Sequence, residues 1–220
     1  MQISQLLEKP GDHAFTVYGE AGLLEGQLLV PEKCHSQIVA LLGHPHSLQG
    51  GTMQNKVVTT LARTCRDLGI PSIRFNFRGV GQSEGHYDHG VGEANDMLCI
   101  AKLWEQQKPD SRYIFAGFSF GSYVTARAAS QWPHQLLLSI APPVTHYDYR
   151  SLYPTIHAWH ILQGEADEVC DMADVMNFAS QFVPPLPVHR FANTTHFFHG
   201  KLVELRACLQ QIIQDEVGLE

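Results

Sequence analysis

One segment constrains the fold more than any other, namely residues 113–125, YIFAGFSFGSYVT. Its first residues are apolar and predict a buried strand, and its last residues predict the start of a helix. Between them lies Gly117-Phe118-Ser119-Phe120-Gly121, a G-x-S-x-G sequence. A serine at a sharp strand-to-helix turn needs a strained backbone, with residues that lack a Cβ on either side. The segment therefore predicts that Ser119 is a nucleophile rather than a serine that only caps a helix.

Strands and helices alternate along the rest of the chain. Apolar runs at 38–42 (IVALL) and 135–140 (QLLLSI) predict strands that are buried on both faces. Similar patterns predict strands at 71–77, 157–163 and 187–191, helices at 52–68, 92–107, 120–131, 171–182 and 201–217, and an antiparallel edge hairpin from 14–17 and 23–30. This alternation predicts an α/β fold with a mostly parallel sheet and helices on both faces. A chain of 220 residues fits a single domain, 1–220.

The loops with unusual composition all follow predicted strands. They cover 43–51, 78–85, 117–121, 164–170 and 192–200. Ligands of parallel α/β sheets bind at the carboxyl ends of the strands, so these loops are expected to meet at one site.

An activated serine needs a histidine base and an acid that orients the histidine. In the chain order Ser, acid, His, the acid lies in the loop Gly164-Glu165-Ala166-Asp167-Glu168, and Asp167 is the predicted residue. Glu165 and Glu168 are its competitors, interpreted as solvated charges at the rim of the sheet. The predicted base is His196, in the middle of the last loop. The competitor is His199, although the alternative interpretation of this histidine is an ordinary surface residue.

An oxyanion site needs two converging N–H groups. The residue after the nucleophile, Phe120, supplies one, and the loop His44-Pro45-His46-Ser47 is expected to supply the other. Pro45 has no N–H. His46 is therefore the predicted second donor, with Ser47 as the alternative, and Gly50 and Gly51 allow a tight turn.

Composition argues against other classes of function. Four histidine pairs have ligand-like spacings: His44/His46, His86/His89, His157/His160 and His196/His199. They lie in different loops and strands and lack an H-E-x-x-H sequence, so no metal or other cofactor is expected. A formal net charge of -7 without a basic stripe argues against nucleic acid. No apolar run has the length of a membrane span.

The remaining features of the sequence bear on location and assembly. Five scattered cysteines and the lack of a signal-peptide pattern predict a cytoplasmic protein. The exposed edge hairpin could pair between two subunits, so the sequence is compatible with a homodimer.

Several segments together resemble the small, lidless bacterial α/β-hydrolases related to the dienelactone hydrolase-like group. They are HPHSLQGGTMQNKVVTTLAR, RFNFRGVGQSEG, GFSFGSY, SIAPP, QGEADE and THFFHGKL. The resemblance implies an α/β-hydrolase fold without a large lid, and a triad of Ser119, Asp167 and His196. Many α/β-hydrolases have Asp two residues before the arginine that corresponds to Arg78. Here that residue is Asn76, and the loop is interpreted as structural.

The function expected from these features is that of a serine hydrolase. A carboxylesterase acting on small or accessible acyl esters is favoured, and a thioesterase or peptidase would use the same triad. A ligand-binding protein without catalytic activity is the alternative from another class. The stretch 144–156 is too short for a large lid and predicts an open site. Its edge is expected near Tyr147, Tyr149, Tyr153 and Trp159, although packing is the favoured role for most of them.

Overall fold

A computed structural model describes residues 3–35, 37–152 and 158–218. These residues form an eight-stranded sheet in the order β1-β2-β4-β3-β5-β6-β7-β8. Strand β2 is antiparallel to both of its neighbours, and every other adjacent pair is parallel. The strands are β1 (Gly11–Tyr18), β2 (Leu23–Val30), β3 (Ile38–Gly43), β4 (Ser72–Phe75), β5 (Arg112–Phe118), β6 (Leu136–Ile140), β7 (Trp159–Gly164) and β8 (Val188–Phe191).

The predicted α/β architecture and the antiparallel edge hairpin are both confirmed. Strand β1 lies at an edge of the sheet. A homodimer formed by pairing of this edge between two subunits stays a prediction. The predicted strand 157–163 is β7, which begins at Trp159; His157 lies outside the described residues. Strand β4 ends at Phe75, two residues earlier than predicted. The side chain of Asn76 bonds instead to Met53, in the loop before α2, and to Glu25 on β2.

Helices cover both faces of the sheet, as expected from strands that are apolar on both sides. One apolar cluster joins a sheet face to α3 (Val91–Gln107), α4 (Phe120–Ala129) and α5 (Met172–Ala179). A second cluster joins the opposite face to α2 (Lys56–Asp67) and α6 (Leu202–Val217). Strand β3 lies between the two clusters, and all six of its residues are buried.

Helix boundaries differ from the predictions mainly at α2. Its N-cap is Asn55, whose side chain accepts a hydrogen bond from the N–H of Val57 at 2.8 Å, rather than Thr52. Two short elements were not predicted: the helix α1 (Ile3–Leu6) and the 3₁₀ turn Ser47–Gln49, which lies within the predicted irregular loop.

The described part of the segment between β6 and β7, residues 141–152, packs on the sheet. Tyr149 and Trp159 are buried, which confirms packing as their role, whereas Tyr147 is half-buried. Tyr153 lies outside the described residues. Within the part of the chain that the structure describes, no helix combines the length and the hydropathy needed to cross a bilayer.

Candidate active site

Ser119 lies at the junction of β5 and α4 in a strained conformation. Its φ is 54° and its ψ is -126°, a region that residues with a Cβ rarely occupy. Its N–H donates to the carbonyl of Ile140 at 2.8 Å, which ties the turn to β6. An added Cβ on Gly117 or Gly121 would overlap backbone atoms, in the second case those of Gly43 at the end of β3. Both glycines of the motif are thus required by close approach of the backbone.

The structure brings the three predicted triad side chains together. His196 Nε2 lies 3.0 Å from Ser119 Oγ, and His196 Nδ1 lies 2.9 Å from Asp167 Oδ2. Ser119 follows β5, Asp167 follows β7 and His196 follows β8, so the carboxyl edge of the sheet collects them. All three residues are less than a tenth exposed. The arrangement is a continuous chain of hydrogen bonds from carboxylate to imidazole to hydroxyl.

The carboxylate of Asp167 is held by its own loop. Its Oδ1 accepts hydrogen bonds from the N–H groups of Val169 and Cys170, each at 2.8 Å. Its Oδ2 accepts one from Gln163 Nε2 at 3.1 Å. Burial acts to raise the pKa of Asp167, but the hydrogen bonds from His196 and these N–H groups outweigh it and hold the pKa below its usual value. The orienting group is therefore ionised beside the imidazole.

The competitors of the predicted acid and base make other contacts. His199 is exposed, and its ring contacts Phe197. Glu165 forms an ion pair with Arg190 at 2.7 Å. The interpretation of Glu168 as a solvated charge was incomplete, because its carboxylate accepts a hydrogen bond from the N–H of His196 at 3.2 Å. That contact fixes the backbone of the loop that presents the imidazole.

The predicted oxyanion donors have unoccupied N–H groups. Within the described residues, the N–H groups of Phe120, His46 and Ser47 donate no hydrogen bond. Phe120 is the first residue of α4, where the positive end of the helix favours an anion. The carbonyl of His46 accepts from the N–H groups of Gln49 and Gly51, each at 3.0 Å, which closes the tight turn. The choice of His46 over Ser47 stays a prediction.

Comparison with known proteins places the chain in a family. No protein-family model matches the chain. A Xanthomonas campestris protein, described as a member of the α/β serine hydrolases without lid, is 39% identical, with a TM-score of 0.89 over 94% of this chain and 95% of its own. An α/β serine hydrolase homologue from Coxiella burnetii is also 39% identical, with a TM-score of 0.88 over 93% and 99%.

The chain belongs to the lidless α/β serine hydrolases. A dienelactone hydrolase from Anabaena variabilis, 14% identical over 94% of this chain and 98% of its own, shares the fold with a TM-score of 0.79. The family predicted from the sequence is therefore confirmed.

A buried histidine organises the loop that carries the predicted oxyanion donor His46 in this α/β serine hydrolase. His44 is fully buried, with its Nδ1 2.7 Å from the carbonyl of Pro45 and its Nε2 2.9 Å from the N–H of Phe77. A carbonyl accepts and an N–H donates, so the ring is neutral with its proton on Nδ1. The ring also stacks on Phe77, with centroids 4.0 Å apart. His44 thereby joins the loop after β3 to the loop after β4.

The hydrolase also uses residues that the sequence did not single out. The hydroxyl of Ser122 donates to the carbonyl of Ser119 at 2.6 Å and bonds to the hydroxyl of Tyr149 at 2.8 Å. Gln163 supports Asp167 from β7. Ser122 reaches Tyr149 in a distant part of the chain, whereas Gln163 lies only four residues before Asp167 but is of a residue type that no local pattern marks. Ser122 alone had a signal, since it lies one residue after the motif.

The loop around Arg78 of the hydrolase is structural, as interpreted. Arg78 Nε donates to the buried carboxylate of Asp96 at 2.7 Å. Asn76 donates to Glu25 Oε1 at 2.7 Å and accepts from the N–H of Met53 at 2.9 Å. The asparagine that departs from the common pattern therefore ties three segments together.

One cluster of potential metal ligands occurs in the described ranges of the hydrolase, and it shares two residues with the predicted triad. It consists of Asp167, Cys170 and His196. Both oxygens of Asp167 and both ring nitrogens of His196 already take part in hydrogen bonds. Burial raises the pKa of the Cys170 thiol, which disfavours the thiolate that metals bind.

Proposed function

We propose that this protein is a serine carboxylesterase that cleaves small or accessible acyl esters through an acyl-enzyme. The supporting observation is the unbroken chain of hydrogen bonds from Asp167 through His196 to Ser119. It ends on a strained serine at the start of a helix, which is the arrangement that nucleophilic catalysis by serine needs.

The proposed reaction has two halves. His196 takes the proton of Ser119 as the oxygen attacks the ester carbonyl, and the N–H groups of Phe120 and His46 stabilise the oxyanion. The imidazolium then gives its proton to the leaving alcohol. In the second half, His196 activates a water that releases the acid and restores the serine. Asp167 holds the imidazole tautomer and stabilises the imidazolium in both halves.

Thioesterase and peptidase activity would use the same residues. Esters are favoured over amides because alcohols leave more readily than amines. A ligand-binding protein on a hydrolase scaffold is the alternative outside catalysis. It is disfavoured because binding alone does not need the strain at Ser119 or the aligned imidazole.

Labelling by a fluorophosphonate probe tests the proposal. We expect the wild type to be labelled, because the probe reacts with activated serines. Ser119→Ala and His196→Ala should lose labelling while their circular dichroism remains that of the wild type. The matched controls are Ser180→Ala, an exposed serine at the C-cap of α5, and His199→Ala, which also tests the competing base.

The controls should be labelled like the wild type. A wild type that the probe does not label would refute the proposal and favour the binding protein. A labelled Ser119→Ala variant would refute Ser119 as the nucleophile. Initial rates with matched esters, thioesters and anilides of one acyl group would then rank the three leaving groups.

A further inference from the structure

Three half-buried rings cover Phe120, the residue after the nucleophile. We call them the aromatic wall: His46, Tyr87 and Tyr147. Their ring centroids lie 5.1, 5.5 and 5.4 Å from that of Phe120. Phe120 is itself buried, so the wall is the layer between it and solvent.

The rings of the wall are fixed in position. The hydroxyls of Tyr87 and Tyr147 are 3.3 Å apart and hydrogen-bonded. Tyr147 stacks on the buried ring of Tyr123, with centroids 4.7 Å apart, and the centroids of His46 and Tyr87 are 5.0 Å apart. Rings held this way need little ordering when a ligand binds, which favours a rigid, flat group over a flexible chain.

The triad determines which half of an ester lies near the wall. The leaving oxygen must reach His196 Nε2, from which it takes a proton. His196 is flanked by Phe118 and by the partly exposed Phe197, with ring centroids 5.0 and 5.2 Å away. The alcohol therefore lies beside Phe197. The acyl group points away from the base and passes the predicted oxyanion residues Phe120 and His46. Phe120 contacts the aromatic wall, and His46 is part of it.

Resting on the esterase function proposed above, we infer that the preferred acyl group is a planar aromatic ring bound against His46, Tyr87 and Tyr147. Aromatic rings prefer offset or edge contacts with other rings at these distances, and each such pair is more favourable than apolar contact alone. A saturated acyl group of the same size would gain only the apolar contact.

Two ester substrates and two variants test this inference. kcat/KM is measured for p-nitrophenyl benzoate and p-nitrophenyl acetate, which share a leaving group. We expect Tyr147→Leu to lower the benzoate-to-acetate ratio about fivefold, and Tyr147→Phe, which keeps the ring, to change it less than about twofold. Tyr18→Leu is the control, because Tyr18 is 77% exposed on β1. An unchanged ratio in Tyr147→Leu would overturn the inference.

Inhibition of the wild type gives a second test that needs no variant. Benzoate and cyclohexanecarboxylate have the same ring size, and only benzoate is flat and aromatic. We expect benzoate to inhibit acetate hydrolysis about fivefold more strongly. Equal inhibition would refute the aromatic preference while acetate turnover and fluorophosphonate labelling upheld the esterase. Loss of both labelling and turnover in the wild type would instead refute the esterase and this inference with it.

Discussion

At the scale of single residues, the neutral state of His44 makes the folded protein sensitive to acid. Burial lowers its pKa from 6.5 to about 4, although the hydrogen bond to Pro45 opposes the change. Above pH 6.5 the ring is neutral in both the folded and the unfolded chain, and its contribution to stability is complete. As the pH falls from 6.5 towards 4, only the unfolded chain binds the proton, so the free energy of unfolding declines.

Replacement of His44 should remove this part of the pH dependence. Between pH 7 and pH 4.5, we expect the wild type to lose about 2 to 3 kcal/mol more free energy of unfolding than His44→Gln. Urea unfolding at both pH values measures the difference. His86→Gln, at an exposed position, should follow the wild type. A His44→Gln variant with the same pH dependence as the wild type would contradict the assignment.

At the scale of secondary-structure elements, the start of α2 depends on one side chain. Asn55 Oδ1 accepts from the N–H of Val57 at 2.8 Å, and Thr52 Oγ1 accepts from the N–H of Gln54 at 3.3 Å, before the helix begins. We expect Asn55→Ala to lower the free energy of unfolding by about 1 kcal/mol. Thr52→Ala should cost less than half of that. Denaturant midpoints of the two variants give the comparison, and a larger effect at Thr52 would restore the boundary predicted from sequence.

The elements that the sequence predicted best are those with a strong local pattern. Buried strands such as β3 and β6 are continuous apolar runs, and the elbow at Ser119 needs flanking glycines, so each is visible in a few adjacent residues. The start of α2 was missed because Thr52 and Asn55 are both good capping residues, and the geometry of the preceding turn decides between them.

The site was predictable to the extent that chain order specifies it. Ser119, Asp167 and His196 follow the order of the motif, and the parallel sheet brings their loops to one edge. The supporting contacts were not predictable. Tyr149 and Glu168 bond to Ser122 and His196, which only folding brings near them. Gln163 lies close to Asp167 in the sequence, but its residue type is ordinary at that position.

At the scale of the whole molecule, the absence of a lid in the family has a kinetic consequence. An enzyme without a lid needs no interface to open its site, so its rate depends on dissolved ester alone. We expect initial rates with tributyrin to rise hyperbolically and to level off at the solubility limit. A jump in rate where the emulsion forms would contradict this expectation. Titration of the released acid measures these rates, and the experiment needs only the wild type.

The bond from His44 to Phe77 limits how this site could be transplanted. A designer who moves residues 43–51 onto another parallel sheet would carry over the glycines and the proposed oxyanion donor His46. The imidazole would arrive without its second partner, because the N–H of Phe77 belongs to the loop after β4. A buried nitrogen left without a donor costs about 1 to 3 kcal/mol. The smallest portable unit is therefore a pair of adjacent strands with both of their loops.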